Sequence, residues 1–465
     1  MTGYDRAVAT RDAAAHAAAL DDLAGTLTGR LVRPDDEGYD DARTVWNGTV
    51  DRHPVAVAHA TDAADVRAVL TTARETDLGV AVRAGGHSGP GLSVCDGGLV
   101  LDVSAMDAVR IDPDAGTARV GAGAEWGDLD AAAQKHGLAT PGGVVSDTGV
   151  AGLTLGGGTG WLTRAHGLAC DRLTAVDLVT PAGERVTASA DDHPDLFRAL
   201  RGGGGNFGVA LAFEFDLVPL PHDVAYCEVW YPLDGLDRLL ADYRRRTARG
   251  SREANVSPFV APRPDSPELG VCFMGAHAGP PVEGERELAA YADLGDPVES
   301  TVGRLPYTEL QSMLDGDSPA GDRYYWKSIA VDDLTPDVVD VFAERARALP
   351  GPRDTALVWP MGGAVSDVAP DATAFPRRDA GYVLNFECAW TDPDADDAHV
   401  EWARESVAAV REHGGDGLLP NFPGSGTGDD AARAIYRDNY DWLRDVKTRY
   451  DPENVLDPSG RLDPR

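Results

Sequence analysis

Short apolar runs separated by glycine, proline and aspartate punctuate this chain, and their spacing predicts many strands with a few helices between them. Residues 54–60 are apolar and strand-like. Residues 61–74 carry Asp early and then Val66, Leu70 and Ala73 at helical spacing, and Val80-Ala81-Val82 returns to strand, completing a βαβ-like unit. A further strand is predicted over 99–103. Residues 109–111 and 118–121 flank Asp112-Pro113-Asp114-Ala115-Gly116, a hairpin by its turn chemistry, and a short helix over 125–136 stops at Gly137. Strands over 173–179 and 185–188 bracket a second turn at Pro181-Ala182-Gly183. A helix over 194–201 and an alternating strand over 209–217 follow. This irregular mixture is an α+β pattern, unlike the regular series of a doubly wound fold.

Pro219-Leu220-Pro221 marks a boundary. Beyond it, strand-like runs at 226–231 and 270–274 alternate with helical ones at 233–246, 283–292 and 336–348, which suits an antiparallel sheet covered by helices. At 465 residues the chain is long for one core, so two domains are expected. The divisions expected are an N-terminal arm over 1–47, helical near 12–27 and without visible chemistry, then 48–221, 222–420 and a closing segment over 421–465.

Composition narrows the function. Hydrophobic residues make up 43%, and no long uncharged apolar run is present, so a soluble chain without a membrane-spanning helix is expected. The first residues lack a basic region followed by an apolar one, so the cytoplasm is the expected location. Cys95, Cys170, Cys227, Cys272 and Cys388 are scattered singly, which argues against a disulfide framework, a zinc knuckle or an iron-sulfur centre, and no metal is expected. The formal charge of −34 disfavours nucleic acid and anionic membranes as partners. Lysine occurs only at Lys135, Lys327 and Lys447, and Asp far outnumbers Glu. That acidic excess leads us to expect adaptation to a salty cytoplasm, where carboxylates stay hydrated and salt screens their repulsion. The sequence fixes no oligomeric state.

Candidate chemistry centres on Arg83-Ala84-Gly85-Gly86-His87-Ser88, followed by Gly89-Pro90-Gly91. A buried strand feeding a loop nearly free of side chains lets a large ligand lie on bare backbone, whose amides can receive phosphate oxygens. On its own, the triplet equally fits a loop histidine that hydrogen-bonds backbone. A second stretch, residues 141–162, holds eight glycines in 22 positions and includes Gly143, Ser146, Asp147, Thr148, Gly149, Gly152, Leu153, Gly156, Gly157 and Gly158. Gly203-x-Gly205-x-x-Gly208 matches a dinucleotide fingerprint, yet a helix precedes it and a strand follows. A nicotinamide Rossmann site is therefore rejected.

These segments, in this order, resemble the FAD-linked oxidoreductases of the vanillyl-alcohol-oxidase superfamily, in the berberine-bridge-enzyme and 6-hydroxynicotine-oxidase branch. The first matches that branch's Arg-x-Gly-Gly-His-Ser/Asn. His166-Gly167-Leu168-Ala169-Cys170-Asp171 matches its aromatic-Gly-Leu-Ala-x-Asp, and the run ending in Asn206-Phe207-Gly208-Val209 matches the close of its FAD domain. Tyr436 to Leu456 resembles its C-terminal signature, with Arg437 in place of Gly and Trp442 in place of Arg. There Leu443, Val446 and Tyr450 form a helix's core face, Asp451-Pro452 ends it, and Asn439 and Tyr440 are the flavin-facing candidates. Leu418-Leu419-Pro420-Asn421-Phe422 keeps the family's Asn as Asn421 but puts Leu419 where a tyrosine is expected.

The resemblance implies a PCMH-type FAD-binding domain of two α/β subdomains, over 48–221, and a substrate domain with an antiparallel sheet covered by helices. It implies FAD bound by the His87 loop, the glycine segment and residues 206–209, with His87 joined to the 8α-methyl carbon. Bicovalent members carry a Cys where this chain has Val145, so one covalent bond is expected, and Cys170 is in the wrong place for a second.

In residues 382–390, strand geometry puts Tyr382, Leu384, Phe386 and Cys388 on one face and Val383, Asn385 and Glu387 on the other. The residues alone also allow Glu387 a solvated face or a partner such as Arg377 or Arg378. In the family the equivalent strand faces the flavin, which makes Glu387 the candidate general base and Asn385 its substrate-orienting partner. Tyr324, Tyr325 and Lys327 fit the pocket, the core or the surface equally. The expected activity is oxidation of a CH–OH or CH–N centre of a small molecule, with oxygen as acceptor and hydrogen peroxide as product. A dehydrogenase serving a quinone or carrier protein, and a non-redox protein retaining flavin, remain as alternatives. Sugar, alcohol, amine and alkaloid-like substrates are not ranked.

Overall fold

The computed structural model describes residues 16–264, 266–424, 429–456 and 462–465. The expected N-terminal helix is present over residues 16–26, and its first positions lie outside the described residues. The βαβ unit forms as the pattern predicts. Ala56–His59 and Val80–Arg83 both pair in parallel with Leu99–Asp102 between them, and Arg30–Val32 adds an antiparallel edge. The connecting helix, Ala63–Thr76, starts because the Asp62 carboxylate accepts from the N–H groups of Ala64 and Asp65. It buries Val66, Val69, Leu70 and Ala73 against the sheet. Each such side chain contributes about 1.5–3 kcal/mol when fully buried.

Both predicted hairpins join a five-stranded antiparallel sheet in the order Val109–Asp112, Thr117–Gly121, Val209–Asp216, Leu173–Val179, Arg185–Ser189. Asp112 closes the first turn by accepting from the N–H groups of Asp114 and Ala115.

The second half is built on a seven-stranded antiparallel sheet. Its order is Glu299–Pro306, Asp223–Pro232, Leu269–His277, Ala254–Pro262, Thr355–Pro360, Tyr382–Trp390, Arg323–Val331. Helices cover one face, where Phe386 meets Phe342 of Pro336–Ala346 and Trp402 of Asp396–Glu412. The other face looks toward the glycine segment, and the Asn255 side chain donates to Gly160 O at 2.8 Å. Both faces are thus covered.

The chain then returns to its first half. In Tyr440–Tyr450, Leu443 and Val446 are buried as expected, and Lys447 lies fully buried, donating to Asn206 O at 3.0 Å and pairing with Asp451 at 2.6 Å. Asp451 also accepts from the N–H groups of Val455 and Leu456, and Val80 N–H donates to Val455 O at 2.7 Å. No helix among the described residues is long and apolar enough to cross a membrane.

Candidate active site

The two glycine segments cross main chain on main chain. A Cβ on Gly85 would lie 2.5 Å from Gly149 N, and one on Gly149 would lie 2.6 Å from Gly85 N, so only glycine allows this approach. Around the crossing opens a cavity of about 510 Å3, lined by Ala84 through Ser88, by Gly143, Thr148, Gly149, Gly152, Leu153 and Gly156, and by Asn206, Gly208 and Asn421. Gly89 and Gly152 also line it, and a Cβ on either would meet nothing within 4 Å. A cavity of this size walled by bare backbone fits a flat ring system, and the residues present suit FAD.

Within this lining His87 is largely buried. Its Nε2 lies 3.1 Å from Asp147 Oδ1, and its ring stacks on Trp46 with centroids 5.1 Å apart. Trp46 stacks in turn on Tyr324 at 3.9 Å. Burial pulls the imidazole pKa down and Asp147 opposes this only in part, so the ring is held neutral.

Glu387 also lines the cavity, paired in register with Trp326 on one side and Thr355 on the other. Asn385, fully buried, donates to Glu387 Oε1 at 2.6 Å. Burial raises the Glu387 pKa to about 7, against the lowering effect of the Asn385 hydrogen bond. The two readings that the residues alone left open are closed. Arg378 forks both oxygens of Asp171 at 2.7 Å, and Arg377 serves Asp332, Asp379 and the Asp416 carbonyl. Trp46, Trp161, Phe259, Trp326, Trp359 and Phe422 add aromatic side chains to the lining.

Several expected site residues lie off the cavity. Arg83 turns back to Asp102 and the Ala42 carbonyl, anchoring its strand; burial raises the Asp102 pKa, but His59 and Arg83 outweigh it and hold the carboxyl well below its usual range. Ser146 gives its N–H and hydroxyl to Asp315, at 2.8 and 2.6 Å. Gly157 and Gly158 pack against Phe375 and against Leu153 and Ala169, while Val209 is buried in its ladder with Val179. Asn439 accepts from Arg198 and donates to Ala374 O, and buried Tyr440 sits under the guanidinium of Arg433. Asn385, expected to orient the substrate, donates to Glu387 and does not line the cavity. Of the three uncertain residues, Tyr324 backs Trp46, Tyr325 meets Arg404, and Lys327 donates to Pro423 O.

Sequence reasoning missed Trp46, Phe259, Trp326, Thr355 and Trp359. Period 2 along Arg323–Val331 would have placed Tyr324 and Trp326 on one face, but Arg323 and Lys327 mask the run as a strand. The five cysteines are all free and buried. Ligand atoms of Cys388, Asp354 and His399 lie within 4.8 Å of one another, but both Asp354 oxygens already accept backbone N–H groups and one meets His399 at 2.8 Å.

A glycine-walled cavity between an α+β half and an antiparallel sheet, lined by a neutral histidine and a half-buried carboxyl, defines a flavin-dependent oxidoreductase. The families described as FAD binding domain and as berberine and berberine-like match residues 54–189 and 407–457. A FAD-linked oxidoreductase of Bacillus subtilis is 32% identical over 453 residues, covering 92% of this chain and 96% of that protein. (R)-6-hydroxynicotine oxidase of Paenarthrobacter nicotinovorans is 32% identical over 464 residues, covering 94% and 97%. The crystal structure of 6-hydroxy-D-nicotine oxidase from Arthrobacter nicotinovorans superposes with a TM-score of 0.85 at 28% identity, covering 94% of this chain and 98% of that one. The chain belongs to the PCMH-type FAD-linked oxidoreductases, in their berberine-bridge-like branch.

Proposed function

We propose that this enzyme is an oxidase of a small ring-bearing alcohol or amine, with FAD attached through His87 alone. Bound FAD supplies the hydride acceptor at its N5 and passes the electrons to oxygen, giving hydrogen peroxide. The chain's part is to seat the substrate between aromatic walls and to take the O–H or N–H proton at Glu387 while the adjacent carbon gives up hydride. The observation that carries the reading is the Asn385–Glu387 pair, a half-buried carboxyl with a pKa raised to about 7 that lines the cavity. The relative that oxidises 6-hydroxynicotine supports oxidase chemistry, and the aromatic walls favour a flat substrate over a sugar studded with hydroxyls. Val145 lines the cavity with a side chain that cannot form a second flavin bond, which supports single attachment.

Acid precipitation tests the cofactor half of this reading. A yellow pellet with one FAD of added mass, lost in His87→Ala, is expected. Flavin released to the supernatant would demote His87 to a packing role. A screen of aromatic alcohols and amines for oxygen uptake with matching peroxide tests the other half. Substrate bleaching of the flavin that needs an added dye or quinone for turnover would make the enzyme a dehydrogenase.

A further inference from the structure

His87 is gripped from two sides. Trp46 covers one ring face, and Asp147 Oδ1 sits 3.1 Å from Nε2 as a close charge contact; neither ring nitrogen makes a hydrogen bond among the described residues. Asp147 is itself held in place. Its neighbour Ser146 is clamped through both N–H and hydroxyl by the two oxygens of Asp315, which belongs to the second half of the chain. Asp147 was expected to touch the cofactor; it stands outside the cavity and touches the histidine.

We propose that Asp147 is the positioning residue for flavin attachment: it fixes the Nε2–H tautomer of His87 and so presents the Nδ1 lone pair to the 8α carbon. This rests on the covalent reading given above. A neutral imidazole carries one N–H, and a carboxylate beside Nε2 draws that proton there, leaving Nδ1 nucleophilic. Attachment then balances as follows. The 8α-methyl carbon loses one proton to the surroundings, and the electron pair of that C–H bond moves into the flavin ring. Nδ1 bonds to the carbon, which leaves the imidazole cationic with Asp147 as its counter-ion until the Nε2 proton departs. The flavin has gained two electrons and two protons overall, and dioxygen reoxidises it with release of hydrogen peroxide. Trp46 keeps the ring from turning away during these steps.

The side chain of Asp147 is more than half exposed, so its replacement leaves the fold intact. The experiment uses flavin-free full-length protein mixed with FAD under air. Covalent flavin is followed by intact mass and acid-stable absorbance, and non-covalent binding by quenching of flavin fluorescence. Asp147→Asn is expected to bind FAD as the wild type does but to attach it about tenfold or more slowly, the loss expected when the carboxylate charge 3.1 Å from the ring nitrogen is removed. Asp147→Glu is expected to restore most of the rate, and NMR of the proteolytic flavinyl peptide to place the bond at Nδ1. Attachment of Asp147→Asn at the wild-type rate, or a wild-type bond at Nε2, overturns the assignment while leaving covalent attachment standing. Wild-type protein that never attaches FAD overturns both.

Discussion

Glu387 concentrates what single residues do in this enzyme. Only its carboxylate can accept a proton, so kcat/KM is expected to rise as pH increases through about 7, the pKa set by its burial. Glu387→Gln should lower kcat/KM by about 100-fold or more and remove that limb from the pH profile. An unchanged profile in the variant would assign the limb to another group. Strand period 2 put Glu387 on a face with Val383 and Asn385, but only the family resemblance pointed that face at the cavity that Glu387 lines. The role of Asn385 was not legible, because the sequence shows that two residues share a face but not that one donates to the other. Asn439 and Tyr440 show the same limit. Their motif was recognised, yet Arg198 and Ala374, far away in sequence, fix Asn439, and Arg433, just upstream, covers Tyr440.

Elements meet in this fold where side chains are missing. Gly85→Ala and Gly149→Ala should each force the two loops apart, weakening FAD binding and lowering Tm, while Gly152→Ala, with open space around it, should keep the wild-type Tm and perturb only the flavin spectrum. Beneath this crossing, the helix Trp126–Gln134 buries Asp130, whose Oδ2 accepts from Gln311 at 2.7 Å; Gln311 also donates to Gly143 O. Burial raises the Asp130 pKa to about 7, against the lowering effect of Gln311. The folded pKa lies above the unfolded one, so as pH rises the unfolded chain gives up its proton first. Stability therefore falls between about pH 4 and pH 7 and stays reduced above. Asp130→Asn should stabilise the protein at pH 8 by up to about 4 kcal/mol and leave it nearly unchanged at pH 4, as thermal melts at the two values would show. The βαβ unit, both hairpins and three helices of the second half, Leu236–Thr247, Pro281–Leu288 and Pro336–Ala346, were readable from periodicity and turn residues, whereas the long helix Asp396–Glu412 was not predicted. Nor were the strands Ala254–Pro262 and Thr355–Pro360. Pro258 argues against a strand, and the pair share only two register positions, so long-range pairing sustains what local pattern does not declare.

At the scale of the whole molecule, charge is the dominant property. With 76 acidic against 42 basic residues, we propose that the enzyme is built for high salt. Many of its arginines are already engaged in ion pairs with Asp or Glu, among them Arg119, Arg323 and Arg377, which leaves a surplus of carboxylates. Its Tm should rise when KCl is increased from about 0.1 M to about 2 M, because screening over a few ångströms removes repulsion among exposed carboxylates. A Tm that is flat or falling with KCl would argue for an ordinary ionic environment. The return of the chain end carries a consequence of another kind. Val455 accepts a hydrogen bond from Val80 at the head of the strand that leads to His87, and Lys447 braces the carbonyl of Asn206. Residues made much later therefore complete the cradle begun around His87. Stable capture of the cofactor is expected to wait for residues 440–456, and nascent chains halted before Tyr440 should emerge colourless however much FAD surrounds them.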